Sequence, residues 1–544
     1  MSTASTVEPA GLVPFLDDGT SRPAAELPIR DLWHWRANRT PQRPWLHFED
    51  RVWTYEAFDV EARSLAAGLR SVGVGPGVRV LVGLGNRPET LMVHLALYEL
   101  GAVCVPLVQG MGLSEYAFPI NHSEATVLVA EDPIASMVLE RRDDFPQLRV
   151  VVTLGEVSAP SRGRVERFED LSTAAPLQHE PLADHDVHTL AQIAYTSGST
   201  GRPKGVMLRA GCWYHAGLGY TELYRITGDD NYFHPLTLAH ALGTITAPAV
   251  SVLTGGRLTL ADRFSPKRFW GNVERHGGTV TVLFPAQLNL LLEVDDGTPA
   301  AGESSLRLVI THGDQPRFRE RFGVTIATVW GMTETAGINV GSDPGYRGEL
   351  DPGYVGRPYP GAEVGIFDSE SFTRLPAGRP GELCIRHPQV MLGYLKDPEA
   401  TAQTLVDGWV RSGDQGVVDH CGRAYFVGRY KAMIKRSGEN ISAEEVENAI
   451  RAHADVAECV VFGVPDRLRT EEVAAIVVRR GGARAEPSEL REACAAQMVR
   501  WKLPRYILVR DEPLPVLANG KLDRVKVTGD FAPETAWDAE TESG

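Results

Sequence analysis

Short apolar runs recur through the first part of the chain: Val78 to Leu84, Ala125 to Ala130, Arg149 to Leu154, Thr279 to Phe284 and Leu306 to Thr311. Each is short and β-rich, and reads as a strand. Helix-like segments lie between or beside several of them, for example Ala57 to Val72 and Glu89 to Leu100. Strands alternating with helices predict an α/β architecture with largely parallel sheets. From Leu350 to Tyr425 the pattern changes to short runs broken by Gly and Pro, which reads as an antiparallel, β-rich region.

Beyond Gly428 to Lys431 the pattern changes again. Ser442 with Glu445 three residues on forms a capping-box signature, and Val446, Ala449 and Ile450 give the following helix one apolar face. Two strand-like runs follow, Glu458 to Phe462 and Val473 to Val478, then a helix near Glu489 to Val499. This is a small α+β domain of about a hundred residues. The expected division is a disordered N-terminus (1–25), a large domain (26–428), a small domain (429–526) and an acidic disordered tail (527–544). At 544 residues the chain is too long for one ordinary core, which agrees with two domains.

The composition, 43% hydrophobic and 23% charged, is that of a soluble globular protein. A formal charge of -15 argues against nucleic acid and against anionic membranes. No apolar stretch is long enough to span a bilayer, and Met1 to Thr20 lacks the basic start of a signal peptide. Six cysteines without CxxC spacing suit a reducing cytoplasm and read as small buried hydrophobes.

The densest chemistry lies in Tyr195-Thr196-Ser197-Gly198-Ser199-Thr200-Gly201-Arg202-Pro203-Lys204-Gly205. Three glycines let the backbone turn sharply and approach a ligand, while hydroxyls, turn amides and Lys204 supply donors for phosphate oxygens. The spacing is not that of a Walker P-loop, because Lys204 is followed by Gly205. The run resembles the phosphate loop of the adenylate-forming superfamily, which includes acyl-CoA synthetases, peptide-synthetase adenylation domains and firefly-type luciferases. Further resemblance follows in order from about Trp53 to Arg524.

The family's fold would then apply: a large N-terminal adenylate-forming domain with parallel sheets and a β-rich subdomain, and a small mobile α+β C-terminal domain. Trp330-Gly331-Met332-Thr333-Glu334-Thr335 is similar to the segment that sets an aromatic ring by adenine. The resemblance implies that Thr333 touches the α-phosphate and Glu334 holds magnesium, a hard cation that keeps several waters. Trp330 stands where the family usually has Tyr. Trp409-Val410-Arg411-Ser412-Gly413-Asp414 resembles the ribose segment, with Asp414 accepting both hydroxyls. Arg429 would lie near the ribose, Lys431 at the hinge, and Gly438 where the pantetheine arm passes. Lys521, in Leu514 to Arg524, matches the catalytic lysine. Such a cation would draw carboxylate and α-phosphate together and stabilise the charge that builds between them.

Thr311-His312-Gly313-Asp314-Gln315-Pro316 departs from the family's adenine-side loop. Phe233 to Gly243 resembles the segment whose histidine gates the acyl site, with His240 in that position; His234 is as readily a core residue. The acyl pocket is expected to draw on His240, Trp213, His312, Met332 and Gly337, and its mix of aromatic and small residues points to an apolar or aromatic carboxylate. The implied activity is ATP- and Mg2+-dependent formation of acyl-AMP, followed by transfer to coenzyme A. The Gly-Glu-Asn-Ile form at 438–441 favours CoA as acceptor. Alternatives are an adenylating enzyme that stops at acyl-AMP, leaving thioesterification to a separate partner, or that loads a free-standing carrier protein; a non-catalytic nucleotide-binding homologue; and a luciferase-like oxidase. The downstream half faintly resembles carnitine- and crotonobetaine-type CoA ligases.

Overall fold

The computed structural model describes residues 26–541 except 159–162, 197–202, 295–296, 345–352, 430–432 and 516–523. The expected N-terminal disorder over 1–25 lies outside the described residues.

Two large sheets organise the chain up to Arg429. The first has fourteen strands and changes character halfway. On one side, strands including Asn231–His234, Val280–Val282, Leu308–Thr311 and Thr325–Met332 pair in parallel. On the other, Gly337–Gly341, Tyr354–Pro358, Ala424–Arg429, Trp409–Val418, Gly381–Arg386 and Glu363–Phe367 pair antiparallel. The strand Thr325–Met332 stands at the change, parallel to one neighbour and antiparallel to the other. A chain that leaves this strand can either stay in the sheet or open a pocket at its end.

The second sheet has eight strands, mostly parallel, and ends in an antiparallel trio: Leu190–Thr196, Lys204–Arg209 and the short Gly393–Tyr394. Between these sheets the largest apolar cluster joins Trp33, Trp45, Phe58, Trp213, Tyr220 and Tyr232 among many others. The apolar runs expected as strands appear as such: Arg79–Gly83, Val127–Ala130, Val150–Thr153, Val280–Val282 and Leu308–Thr311.

From Met433 onward the strands pair only with one another among the described residues, forming a six-stranded sheet. The helix Ala443–Arg451 buries Val446, Ala449 and Ile450 against it. The helix expected over Glu489 to Val499 ends sooner, at Ala495. Two further expectations are corrected. The tail is not disordered up to Thr541: Trp537–Asp538 forms a strand against Tyr506–Arg510, and Arg505 clasps Asp538 with two bonds of 3.0 Å. A bidentate ion pair and a half-buried Trp537 anchor what composition alone marks as solvated. Of the six cysteines, five are buried, but Cys421 is exposed in the turn where Asp419 binds backbone N–H groups.

Candidate active site

The strand Leu190–Thr196 returns antiparallel as Lys204–Arg209, with Thr196 and Lys204 as cross-strand partners. The phosphate-loop candidates Ser197, Gly198, Ser199, Thr200 and Gly201 lie outside the described residues, but both ends of their loop are fixed. The Lys204 ammonium stands 4.7 Å from the ring centre of Tyr394. The Tyr394 hydroxyl donates to Glu334 Oε1 at 2.8 Å. Lys204 and Glu334, far apart in sequence, thus share one aromatic bridge. Burial, then the Glu334 carboxylate, pushes the Tyr394 phenol far up, so it remains a proton donor.

Glu334 is buried in the tight turn Thr333–Thr335. The Thr335 hydroxyl ties this turn together, its single proton shared between the carbonyls of Met332 and Gly337 at 2.9 and 3.0 Å. Gly331 and Gly337 are required for close approach. A Cβ on Gly331 would meet the Gly337 carbonyl oxygen at 2.3 Å, and Gly337 has φ +110°. Met332 pairs with Gly337 across this junction and is partly exposed, as is Thr333.

Asp414 follows the turn at Gly413, whose φ is +71°. Its Oδ2 accepts the Trp330 indole N–H at 2.8 Å, and its backbone N–H donates to the Ser412 hydroxyl at 2.9 Å. Trp330 is therefore more than an aromatic face. It packs with Val340, Leu383 and Ile385 while its N–H orients the ribose candidate. In the antiparallel register Asp414 lies opposite Arg429. Glu334 is a single carboxylate beside a lysine and a hydroxyl-rich loop. That donor set fits a Mg2+ ion held mainly by substrate phosphates.

On the other side of the site the small domain reaches in. Its strands Met433–Arg436 and Glu439–Ser442 are joined by Ser437 and Gly438, with φ of +53° and +89°. Two left-handed residues make the tight turn that suits a twisted hairpin. A Cβ on Gly438 would lie 2.6 Å from the Phe284 ring. Phe284 stacks on His312 with centroids 5.7 Å apart, and His312 Nδ1–H donates to the Val329 carbonyl at 3.0 Å. The hairpin tip is thus linked, through Phe284 and His312, to the strand that ends in Glu334's turn. Gln287 donates to the Ser437 carbonyl at 3.2 Å, and His240 Nε2 lies 3.1 Å from Glu439 Oε1. Burial pulls the His240 imidazole down, but Glu439 outweighs it and its pKa ends above the ordinary value. Burial raises Glu439, yet His240 and Lys502 bring it below the usual carboxylate range.

Trp213 differs from its expected place in the pocket lining. It is fully buried and donates to the Thr244 carbonyl at 2.9 Å, so it supports the segment after His240 from behind. His234 is a core residue. Lys431 and Lys521 lie outside the described residues. The sequence reading missed Tyr394, Phe284, Gln287 and Glu439 as members of the site. Glu439 sat within a motif already singled out; the other three carry no local signal and meet the site only through tertiary pairing.

Known proteins resemble this chain over most of its length. The AMP-binding enzyme family matches residues 33–395, and the AMP-binding enzyme C-terminal domain matches 445–521. Crotonobetaine/carnitine–CoA ligase of Escherichia fergusonii is 32% identical over 87% of this chain and 92% of its own. The enzyme of that name from Salmonella typhimurium is 31% identical over 91% and 97%. Among solved structures, o-succinylbenzoate CoA synthetase from Bacillus subtilis, bound with a product analogue, has a TM-score of 0.80 at 26% identity over 93% of this chain and 99% of its own. The amide bond synthetase of Marinactinospora thermotolerans has a TM-score of 0.80 at 29% identity, covering 92% and 99%. No helix among the described residues is long and apolar enough to cross a membrane. The chain belongs to the AMP-binding enzyme family, the adenylate-forming superfamily, in its acyl-CoA synthetase branch.

Proposed function

We infer that this chain is an AMP-forming carboxylate–CoA ligase that works in two halves on one site. The observation that carries the reading is the Ser437–Gly438 hairpin seated against Phe284, with Glu439 on His240 and Gln287 on Ser437. A nucleotide site alone has no need of a second domain's turn at its acyl side. A thiol acceptor needs a narrow way in, and a glycine against an aromatic ring supplies one.

In the first half, the acid's carboxylate oxygen attacks the α-phosphate of ATP and pyrophosphate leaves. Lys204 and the hydroxyls of Ser197, Ser199 and Thr200 hold the departing phosphates. Thr333 donates to the α-phosphate, and Asp414, with Arg429 near it, holds the ribose. Glu334, fixed by Tyr394, would hold Mg2+, which when bound neutralises charge on the phosphates. Lys521 bridges carboxylate and phosphate in this half. The small domain then turns about Lys431, withdrawing Lys521 and seating Gly438 at Phe284. In that orientation the CoA thiol attacks the mixed anhydride and AMP departs. The arrangement described here, with Glu439 on His240, fits the second half. The acceptor is CoA, the thiol that the CoA ligases and the CoA synthetase similar to this chain are named for. The absence of a membrane-crossing helix among the described residues suits a cytoplasmic enzyme.

The test is mass spectrometry of products from a panel of carboxylic acids with ATP and Mg2+, with and without CoA. Acyl-CoA with AMP is the expected result. Acyl-adenylate that persists despite CoA would reject the thiol half, and ADP with phosphate would reject adenylation. For Lys521→Ala the expected loss is confined to adenylate formation, and an unchanged rate would reject its assigned role.

A further inference from the structure

The His240–Glu439 pair joins the two domains but is part-exposed, and such pairs are weak. A second ion pair between the domains is more enclosed. The Lys502 ammonium of the small domain stands 2.7 Å from Glu445 of its own domain and 3.5 Å from Glu115 of the large one. The Lys502 and Glu115 side chains are only 11% and 14% exposed. Glu439 also lies within reach of the same charge. Three carboxylates thus act on one ammonium, and one of them adjoins Gly438.

Glu115 is held ready for that lysine by its own domain. It lies in the first turn of the helix Leu113–Ser123, where its Oε2 accepts the Gly112 backbone N–H at 3.1 Å. Its Oε1 is buried, has no hydrogen bond among the described residues, and faces the lysine. The rest of the helix is anchored. The Tyr116 hydroxyl donates to the Val108 carbonyl at 2.7 Å, and His122 Nδ1 lies 2.9 Å from the Tyr195 hydroxyl. On the other side, Lys502 closes the short turn Arg500–Lys502, and Glu445 sits in the first turn of the helix Ala443–Arg451.

Enclosing an ion is costly unless it is paired, so a charged contact that must open needs a partner on each side. Both members have one here: Lys502 keeps Glu445, and Glu115 keeps the Gly112 N–H. In the docked arrangement both carboxylates lie within 3.5 Å of one nitrogen. Without that cation they would meet as like charges. We propose that Lys502 is a positioning residue for the thiol half: seated on Glu115, it latches the small domain where Gly438 meets Phe284. It touches no reacting atom and acts through the hairpin it holds in place. The inference rests on the two-step reading proposed for this site.

The test uses the full chain, the acid that the product panel selects, and single turnover of each half. Glu115→Gln removes the charge that seats the lysine and keeps an oxygen for the Gly112 N–H. It should slow transfer from purified acyl-adenylate to CoA about tenfold, with adenylate formation within about twofold of wild type. Lys502→Met should slow transfer at least as much, and Lys502→Arg should recover most of the loss. The double variant Glu115→Gln/Lys502→Met should be no slower than Lys502→Met alone. A merely structural lysine would lower both halves together. Transfer unchanged in Glu115→Gln, equal loss in both halves, or losses that multiply in the double variant would overturn the proposal. If Lys502→Met fails to fold, Glu115→Gln decides. Hydrogen exchange in the presence of AMP and CoA gives a readout without turnover. Glu115→Gln should raise uptake in the helix Pro285–Leu292, whose Gln287 meets the hairpin, and leave the small-domain strand Thr470–Arg479 unchanged. If no acid is adenylated, the proposed function fails, and the latch is still judged by this exchange. Equal uptake in variant and wild type would overturn it.

Discussion

On the reading proposed above, the phosphate and ribose side of the site and its thiol side are built on opposite principles. Glu334 and Asp414 are buried, and their partners Tyr394 and Trp330 come from the same large body. The thiol side is assembled across two bodies by contacts that leave their members part-exposed: His240 to Glu439 and Gln287 to Ser437. Buried, hydrogen-bonded carboxylates are costly to disturb, so they suit a geometry that stays fixed. Exposed ion pairs are weak and reversible, so they suit a surface that docks and leaves. One active site can then keep its nucleotide in place while exchanging its second wall.

The largest effect that would sharpen this contrast is expected from Glu334→Gln. It should lower acid-dependent pyrophosphate exchange by about a hundredfold, while transfer from a supplied acyl-adenylate stays near wild type. Gly438→Val attacks the other side. It places a side chain on the Phe284 ring and forces a branched residue to φ +89°, so thioester formation from acyl-adenylate should fall about a hundredfold with exchange largely retained. Stopped-flow measurement of each half separates them.

Tyr394→Phe removes one hydrogen bond to a carboxylate and keeps the ring under Lys204. A loss of about tenfold in exchange is expected, from a bond worth about 1.5 kcal/mol. Tyr394→Leu should cost more, because it also removes the cation–π contact.

The smallest expected effect concerns the docking pair. His240 and Glu439 side chains are 39% and 34% exposed, so screening limits their contribution to about 1 kcal/mol or less. His240 is raised and Glu439 lowered. The pair is therefore present below the raised histidine value and down to the lowered carboxylate value. As pH rises through the histidine's value the imidazole loses its proton and the pair's stabilisation is lost; as pH falls through the carboxylate's value Glu439 gains one, with the same result. The rate of the thiol half relative to adenylation should decline about threefold as pH rises through the raised histidine value. Glu439→Gln should flatten that profile; an unchanged profile would remove the pair from the docking account.

The residues proposed for the nucleotide side stand out in sequence because they sit in contiguous motifs. Lys204, Glu334 and Asp414 could each be read from their immediate neighbours. The parallel core was legible too, from runs of Val, Leu and Ile. What sequence could not give was pairing at a distance. Tyr394 reaches Glu334 only because Gly393–Tyr394 adds as a short third strand beside Lys204–Arg209. Phe284 becomes a wall only when Gly438 approaches it. Trp213 carried pocket-like chemistry in sequence, yet its indole N–H is spent on the Thr244 carbonyl. The acidic tail misled for a related reason, because Arg505 supplies the charge that its own sequence lacks.

The most direct measurement gives both variants, Glu334→Gln and Gly438→Val, first ATP with acid and then purified acyl-adenylate with CoA, in single turnover. The account predicts a crossed result: Glu334→Gln slow only in forming the adenylate, Gly438→Val slow only in consuming it. Both variants losing both halves in equal measure would contradict a site whose two sides serve separate steps.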